Sequence, residues 1–388
     1  MIVGLFPSLL QTGGIQRVSQ HVATVLNEIA LSRGCSCHLL SLNDPPGEGR
    51  MESRDLNLKI LGFGRDKKQF SLAALSLVKK DNLVYIGHPN LAPIGLLLKF
   101  LRPSIRYVVT AHGADVWEPL SGLRRWGLRS ATVVTAPSNF TASTIVEVQG
   151  LDSSRVSVLP WAIEPKLRNS NGSARPAAAK LSTGQMLLTV GRMDAAERLK
   201  GVEEVLRALP FVLTHFPNTR YVIIGDGSDR PRLQRLADDL SLGNHVDFVG
   251  RVSDEDLAAY YEACNIFVMP SRQEGFGLVF LEAMAFGKPV IGGNHGGTPD
   301  IVKNDVNGFL VQHGDVKTLG LRVTRLLGDE GLRNKMGEAG RQFVAENYTF
   351  DIFRNKFMGL LTERGLLNGI HKPTPTRTLT PGELTPKQ

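Results

Sequence analysis

The sequence is poor in cysteine and in long apolar stretches. Its 388 residues include only three cysteines, Cys35, Cys37 and Cys264, which are too few for a disulfide framework and have too few potential ligands nearby for a metal site. We therefore expect reduced thiols, as in most cytosolic proteins. The best candidate for a membrane span, residues 91–101, has 11 residues, whereas a spanning helix needs about 20. The chain also begins without the basic segment and cleavage site of a signal peptide, so we expect a cytoplasmic protein whose first element is a β-strand.

Two common nucleotide-binding motifs are missing as well. No glycine-rich turn continues into Gly-Lys-Ser or Gly-Lys-Thr, which excludes a P-loop site. Gly225 and Gly227 are followed by Ser228, Asp229 and Arg230, so the third glycine of G-x-G-x-x-G is absent. This absence disfavours a dinucleotide-dependent oxidoreductase.

The sequence does have ample apolar content and an uneven charge. Apolar residues make up 42% of the chain and charged residues 21%, which suffices for two or three packed domains and excludes a disordered chain. Residues 1–170 contain 19 Lys and Arg against 12 Asp and Glu, whereas residues 171–368 contain 23 against 24. We therefore expect the basic first part of the chain to bind something anionic.

Short apolar runs alternate with helical patterns, which predicts an α/β fold with mostly parallel sheets. The predicted strands are residues 2–6, 37–42, 83–87, 107–111, 132–136, 186–190, 221–224, 246–249, 266–269 and 289–291. The clearest helical patterns are residues 15–32, 70–80 and 202–215.

The predicted elements form two groups. Residues 167–183 are rich in Ser, Asn, Ala and Pro, which is typical of a linker. We predict doubly wound domains at 1–170 and 171–348, a helical segment at 349–368 and a disordered, Pro- and Thr-rich tail at 369–388.

Glycines follow the first predicted strand. Gly13 and Gly14 come directly before the first predicted helix, and paired glycines there allow backbone amides to approach a phosphate. An ordinary flexible turn explains them equally well.

Basic residues follow the first strand of the second predicted domain. Arg192 and Lys200 precede the helix predicted at 202–215, where cations are unfavourable against the helix dipole. Their position is better explained if both face a shared anion. Arg198 fits an ordinary solvated loop.

The most informative segment follows the strand predicted at 266–269. Glu274 lies in a glycine-flanked turn, and Glu282 lies in the helix that begins near Gly277. A carboxylate among apolar helix residues is costly to bury without partners, and the vicinal hydroxyls of a sugar or ribose are suitable partners. The alternative is a helix whose one charged residue faces water.

These motifs together resemble the retaining nucleotide-sugar glycosyltransferases of GT-B fold, in particular glycosyltransferase family 4. The resemblance extends from Met1 to about Leu367 and depends most on the run from Glu274 to Leu278 with Glu282, followed by Lys288-Pro289-Val290 and Gly296-Gly297. It implies two Rossmann-like domains facing a central cleft. The partners it implies are a nucleotide-diphosphate sugar as co-substrate and a saccharide acceptor, with no other cofactor and no nucleic acid.

The resemblance also implies a role for individual residues. Arg192 and Lys200 would hold the donor diphosphate, Glu282 the ribose and Glu274 the transferred sugar, while Gly14 would close over the diphosphate. The other donor-binding positions it implies are Gly13, Gly250, Arg251, Val252, Gly275, Phe276, Gly277, Leu278 and Val279. Seven residues separate Arg192 from Lys200, more than is common in the family, so Arg198 could share the role of Lys200.

A histidine follows another predicted strand. His112 comes directly after residues 107–111, and in the family a histidine at this place lies near the donor sugar and the acceptor. By this resemblance His112 joins Glu274, Arg192 and Lys200 as a catalytic candidate. Asp115 could contact the acceptor or simply cap the next turn.

An acidic triplet resembles the Asp-x-Asp metal motif of another glycosyltransferase fold. We assign Asp254 and Asp256 instead to the first turn of a helix capped by Ser253. Two cations on the diphosphate would make a divalent metal unnecessary, so no metal site is predicted.

The basic first half contains a candidate surface for a membrane or an acceptor. Residues 117–129 interleave tryptophans with arginines, as at a membrane interface. The candidate residues are Trp117, Arg124, Arg125, Trp126 and Arg129. Alternatively the tryptophans face the core and the arginines are merely solvated.

The sequence therefore predicts a retaining, metal-independent hexosyltransferase. Its acceptor would be a saccharide, in one hypothesis lipid-linked, in cell-surface polysaccharide or lipopolysaccharide synthesis at the inner face of the membrane. The alternative is a non-catalytic sugar-nucleotide-binding or scaffold protein of the same fold.

Overall fold

The computed structural model describes residues 1–163 and 184–370, apart from residues 12, 55 and 81. The linker predicted at 167–183 and residues 371–388 of the predicted tail lie outside the described residues. Two compact units make up the described chain. The first comprises residues 1–110, 121–134 and 358–370, and the second comprises residues 111–120, 135–163 and 184–357.

The strands form two sheets. The eight-stranded sheet has the order β3-β4-β2-β1-β5-β6-β7-β8, and the six-stranded sheet has the order β11-β10-β9-β12-β13-β14. The bounds of the strands are β1 Ile2–Phe6, β2 Cys37–Ser41, β3 Gly47–Ser53, β4 Leu56–Gly62, β5 Leu83–Ile86, β6 Arg106–Thr110, β7 Val133–Ala136, β8 Val156–Val158, β9 Met186–Val190, β10 Arg220–Ile224, β11 Val246–Gly250, β12 Ile266–Met269, β13 Val290–Gly293 and β14 Gly308–Val311.

Helices connect most of these strands. Their bounds are α1 Gly14–Ser32, α2 Lys67–Leu77, α3 Ala92–Leu101, α4 Gly122–Ser130, α5 Asn139–Gln149, α6 Val202–His215, α7 Arg230–Asp239, α8 Asp254–Ala263, α9 Leu278–Ala285, α10 Thr298–Ile301, α11 Val316–Gly328, α12 Glu330–Asn347 and α13 Phe350–Glu363. A short 3₁₀-helix, Ala195–Lys200, precedes α6.

The predicted α/β class is confirmed. Every strand pair recorded in the six-stranded sheet is parallel, and each of the ten predicted strands overlaps an observed one. Strands of this kind are recognisable in a sequence because parallel strands are buried on both faces and form short continuous apolar runs. The bounds predicted for β1, β9, β12 and α6 match the structure.

Four of the observed strands were not predicted from the sequence, and β3 and β4 are the longest of them. They form an antiparallel hairpin at the edge of the eight-stranded sheet. Of the seven residues of β3 only Met51 is buried, because an edge strand can leave one face in water. Such a strand has no apolar run. The shorter strands β8 and β14 were missed as well.

Helix α2 begins three residues earlier than predicted. The Asp66 carboxylate accepts hydrogen bonds from the amides of Lys68 and Gln69, each at 3.0 Å. A capping carboxylate satisfies amides that have no partner within the first turn, so the helix begins at Lys67.

The three cysteines are free thiols. Cys264 is buried at the end of α8, and this burial raises the pKa of its thiol to about 12. The thiol is therefore neutral at physiological pH and packs as a small apolar side chain.

A buried aspartate holds the turn after β1. The carboxylate of Asp44 accepts hydrogen bonds from the Ser8 and Ser41 hydroxyls, both at 2.6 Å, and from the Leu9 and Leu10 amides at 2.7 and 3.0 Å. Burial raises the pKa of this carboxyl, but the four hydrogen bonds outweigh burial and the net pKa lies below its usual value. Asp44 was not among the residues predicted from the sequence to be important.

Replacing Asp44 with asparagine should lower the free energy of unfolding by about 2 kcal/mol at neutral pH, because charge-assisted hydrogen bonds to a buried group are lost. The lowered pKa means that the carboxylate stabilises the folded state above its usual pKa of 3.8 and ceases to do so as the pH falls through the folded-state value. The difference between the two proteins should therefore shrink in acid. Urea unfolding from neutral to acidic pH measures this difference in the free energy of unfolding. Glu48→Gln, on the exposed part of β3, is the control. A difference that stays constant or grows in acid would contradict the assignment.

Candidate active site

The loop after β9 places Arg192 at the carboxyl end of the six-stranded sheet. The Gly191 amide donates to the Ile224 carbonyl oxygen at 2.9 Å, which ties this loop to the end of β10. Gly225, at φ +128°, approaches so closely that a Cβ would lie 1.9 Å from the Gly191 carbonyl oxygen. Only glycine fits at position 225. This close packing holds the Gly191 backbone in place, and Arg192 is the next residue. The Arg192 side chain is 68% exposed, with Nη1 3.9 Å from Asp194 Oδ2, so its charge is accessible from solvent.

Lys200, at the end of the connection between β9 and α6, forms an ion pair with Glu274. Lys200 Nζ lies 2.9 Å from Glu274 Oε2 and donates a longer bond of 3.3 Å to the Gln273 carbonyl oxygen. The two side chains are 21% and 15% exposed. The structure therefore brings together two of the predicted residues, from the loops after β9 and β12, as a mostly buried pair.

Arg198 has a different partner. Its Nε lies 3.2 Å from Oδ1 of Asp229, a carboxylate that is only 4% exposed. Arg232 also binds Asp229, and its hydrogen bonds are the main reason that the pKa of this carboxyl is lowered. The structure thus places Arg198 in a cluster at the start of α7, not in the pair formed by Lys200 and Glu274.

The loop that carries Glu274 is held by close backbone packing on two sides. A Cβ at Gly275 would lie 2.3 Å from the His112 carbonyl oxygen, and one at Gly297 would lie 2.4 Å from the Gly275 carbonyl oxygen. The Gly297 amide donates to the Glu274 carbonyl oxygen at 2.7 Å, and the Ser138 hydroxyl donates to that of Gly275 at 2.8 Å. These contacts leave the loop between residues 274 and 277 little freedom to shift.

His112 lies next to this loop, within the second unit. Its backbone amide donates to the Asp115 carboxylate at 3.0 Å, and the Gly113 amide donates to the same carboxylate at 2.7 Å. Asp115 therefore holds the turn after β6, which is the second of the two interpretations made from the sequence. The His112 ring is mostly buried and lies 5.4 Å from the Trp161 ring, which in turn contacts Phe276 at 5.3 Å.

Glu282 is buried in α9 and has a tyrosine partner. The residue is 4% exposed, and the Tyr261 hydroxyl donates to Glu282 Oε2 at 2.8 Å. The interpretation of Glu282 as a charge facing water is therefore wrong. Gly277 caps α9 without a side chain, so the amides of Leu278 and Val279 in its first turn point out of the helix end.

The loop after β11 contributes three further predicted positions. Gly250 ends the strand, Arg251 is exposed and Val252 is partly buried. The Gly225 amide donates to the Gly250 carbonyl oxygen at 2.8 Å. These residues thus lie at the same edge of the sheet as the loop that carries Arg192.

The acidic triplet forms the start of a helix. Helix α8 begins at Asp254, and the Ser253 hydroxyl accepts a hydrogen bond from the Asp256 amide at 3.1 Å. The predicted capping arrangement is confirmed. Within residues 1–163 and 184–370, apart from positions 12, 55 and 81, no group of three or more His, Cys, Asp or Glu side chains is placed to hold a metal ion.

A pair of residues that was not predicted from the sequence contacts the start of the Glu274 loop. His313 Nε2 lies 3.1 Å from Glu204 Oε1, and His313 Nδ1 lies 3.2 Å from the carbonyl oxygen of Pro270, where that loop begins. Both side chains are largely buried. The only sequence signal is that His313 follows a strand, as His112 does.

The remaining predicted residues divide between the units. In the first unit, Gly13 caps α1 with no side-chain hydrogen bond, and Gly14 is its first residue. Helix α4 begins only at Gly122, so Trp117 is not part of it; its indole Nε1 donates to Thr141 Oγ1 at 3.2 Å in the second unit. Trp126, in contrast, is 60% exposed on α4. The other candidates on α4 are Arg124, which is exposed, and Arg125 and Arg129, which are partly buried.

Comparisons with known proteins agree with this architecture. A family model described as Glycosyltransferase Family 4 matches residues 12–167, and one described as Glycosyl transferases group 1 matches residues 173–343. The sucrose-phosphate synthase structure from Thermosynechococcus elongatus superposes with a TM-score of 0.74 at 21% identity, covering 93% of this chain and 98% of that one.

Curated relatives are more similar in sequence. A GDP-mannose-dependent monoacylated alpha-(1-6)-phosphatidylinositol monomannoside mannosyltransferase of Corynebacterium glutamicum is 36% identical, over 74% of this chain and 79% of its own. A GDP-mannose-dependent alpha-(1-6)-phosphatidylinositol monomannoside mannosyltransferase of Mycobacterium tuberculosis is 32% identical, over 74% of this chain and 77% of its own. The chain therefore belongs to glycosyltransferase family 4 and has the GT-B fold.

Proposed function

We propose that this protein transfers a hexose-like sugar from a nucleotide-diphosphate donor to a hydroxyl of a saccharide acceptor. The observation that carries the proposal is the mostly buried ion pair of Lys200 with Glu274, because Lys200 lies in the same connection between β9 and α6 as the exposed Arg192. In this proposal Arg192 and Lys200 would bind the donor diphosphate, and the Glu274 carboxylate would accept hydrogen bonds from the hydroxyls of the transferred sugar. The two curated relatives named above are GDP-mannose-dependent by name, which supports a nucleotide-sugar donor.

In this proposal the second unit stabilises the leaving group. When the bond between the anomeric carbon and the diphosphate oxygen breaks, negative charge builds on that oxygen, and Arg192, Lys200 and the amides at the start of α9 would stabilise it. Glu282 would accept hydrogen bonds from the ribose hydroxyls with its position held by Tyr261. Arg192 and Lys200 would supply the positive charge that a divalent metal supplies elsewhere, so the reaction would be metal-independent.

We further propose that the sugar keeps its anomeric configuration. The acceptor oxygen would form its bond to the anomeric carbon on the face from which the diphosphate leaves, and the acceptor proton would pass to the departing phosphate oxygen. Glu274 and His112 would contact the sugar during this step. Their relative positions are fixed by the contact between Gly275 and the His112 backbone.

The acceptor is proposed to be lipid-linked, in the synthesis of a cell-surface glycan. The names of the two mannosyltransferase relatives specify phosphatidylinositol-based acceptors, which supports this proposal. In the described part of the chain, no helix combines the length and apolar character needed to cross a bilayer. We propose, from the basic composition of the first half of the chain, that the first unit contacts the inner membrane surface.

A donor screen tests the proposal. Purified protein is incubated with uridine, guanosine and adenosine diphosphate sugars and a saccharide acceptor, with and without EDTA. We expect nucleotide release with one donor, an α-linked product from an α-linked donor, and equal rates in EDTA. Nucleotide binding without turnover of any donor would favour a non-catalytic binding protein. A product of inverted anomeric configuration would exclude the retaining mechanism. Loss of activity in EDTA, with recovery when manganese is added, would show that the reaction needs a metal.

A further inference from the structure

The first unit contains a cavity whose chemistry suits a phosphorylated head group. It has a volume of about 570 Å³ and lies where β1, β2 and β5 end, between α2 and α4. Lys67, His88 and Arg124 line it together with the apolar side chains of Phe70, Leu91 and Ile94. Among the described residues that line it, none is acidic. Carboxyl ends of parallel strands are the usual ligand-binding edge of such a sheet.

The helices around this cavity carry charge of one sign. Helices α2, α3 and α4 contain six lysines and arginines and not one aspartate or glutamate. A surface of this composition attracts anions, and each basic residue near the lipid adds to the attraction to an anionic membrane.

Two of the same helices expose large apolar side chains. Phe100 is 80% exposed and Leu101 is 54% exposed on α3, while Leu123 is 65% and Trp126 is 60% exposed on α4. The two helices pack together, since Lys99 donates to the Ser130 carbonyl oxygen at 2.9 Å. Exposed aromatic and aliphatic side chains beside basic ones are typical of surfaces that enter the boundary between lipid head groups and acyl chains.

We propose that α2, α3 and α4 dock on an anionic phospholipid surface and that the cavity takes the phosphate-bearing head group of one lipid molecule. Lys67 and Arg124 would bind the phosphate, and Asn90, which accepts from Arg124 at 3.3 Å, would orient the guanidinium. Phe100 and Trp126 would enter the lipid. This inference rests on the proposed function and names the chemical class of its acceptor: a glycosylated anionic phospholipid, presented from the membrane itself.

Vesicle sedimentation of the full chain tests this inference. Vesicles of phosphatidylcholine alone are compared with vesicles that also contain phosphatidylglycerol, at low and high salt. We expect binding to the anionic vesicles only, and weaker binding in high salt. The double variant Lys67→Ser, Arg124→Ser should bind about 30-fold more weakly, since two contributions of about 1 kcal/mol are lost. The double variant Phe100→Ser, Trp126→Ser should bind the anionic vesicles at least about tenfold more weakly, because it buries less apolar surface in the lipid.

Matched controls come from the second unit. Phe211→Ser and Leu321→Ser remove side chains that are 42% and 49% exposed there, and Arg341→Ser removes an exposed basic one. These should bind vesicles as the unaltered protein does. Wild-type binding by the Phe100 and Trp126 variant would overturn the docking surface, and wild-type binding by the Lys67 and Arg124 variant would overturn the head-group cavity.

Two further measurements separate the possible failures. Calorimetry with inorganic phosphate alone distinguishes a lipid head group from free phosphate: saturable phosphate binding with no vesicle binding would overturn the lipid assignment. Circular dichroism and thermal melting should show that both double variants fold as the unaltered protein does. If the unaltered protein releases no nucleotide from any donor, the proposed function fails; if it releases nucleotide but ignores anionic vesicles, only the present inference fails.

Discussion

Replacing Lys200 with methionine should lower kcat by about 10²- to 10³-fold, the usual effect of removing one group that stabilises charge developing in a transition state. Methionine keeps most of the length and apolar stem of lysine but has no charge. In the folded protein the Lys200 ammonium lies 2.9 Å from Glu274 and is largely shielded from water, so its field at a bound diphosphate is weakly screened. Steady-state kinetics with the donor identified by the screen provide the measurement.

The ion pair alone could also be structural, and comparing Lys200→Met, Glu274→Gln and the double variant separates the two roles. Lys200→Met leaves the mostly buried Glu274 carboxylate without its cation, which lowers the melting temperature whether or not Lys200 acts on the donor. Adding Glu274→Gln removes that unpaired charge, so the double variant should regain stability but not activity. Arg207→Met is the matched control, because Arg207 pairs with Glu203 on the exposed side of α6. If the double variant has the same kcat as Glu274→Gln alone, Lys200 does not act on the donor.

The fold could be predicted where burial forces a pattern on the sequence. Strand β12 is buried at all four positions and follows directly from an apolar run. Strand β3 exposes most of its residues at the edge of the sheet, where polar and apolar side chains are equally acceptable, so its sequence carries no comparable constraint. The parallel core was therefore accessible to sequence analysis, and the antiparallel edge was not.

The candidate site was predictable to the extent that it depends on where strands end. Arg192 and Glu274 follow β9 and β12, which neighbour each other in the sheet, so their loops had to lie at one edge. The contacts between side chains at this edge could not be predicted in the same way. The pairing of Arg198 with Asp229 and that of His313 with Glu204 join distant parts of the chain, and no local pattern in the sequence specifies such contacts.

Close backbone contacts at glycines could not be predicted from the sequence either. One of them, at Gly275, leads us to expect a large effect on activity. Replacing Gly275 with alanine should lower kcat/KM by about 100-fold. The new Cβ would lie 2.3 Å from the His112 carbonyl oxygen and 3.0 Å from the Gly113 Cα, both of which are backbone atoms that no side-chain rotation can move away. The loop carrying Glu274 and the turn carrying His112 must therefore separate. A displacement of about 1 Å between reacting groups is enough to cost this much in rate.

The effect of Gly275→Ala should depend on geometry and not on a general loss of stability. Gly297 also approaches this loop, and a Cβ there would lie 2.4 Å from the Gly275 carbonyl oxygen. Gly297→Ala should therefore also displace the Glu274 loop and lower activity. Gly243→Ala is the control, because a Cβ there meets nothing within 4 Å. It should stay within about twofold of the unaltered rate, since surface substitutions away from special backbone positions change little. Kinetics are measured well below each variant's melting temperature, so that every protein is folded. Full activity in Gly275→Ala would mean that the placement of His112 against the Glu274 loop does not matter for the reaction, and both residues would lose their proposed contact with the sugar.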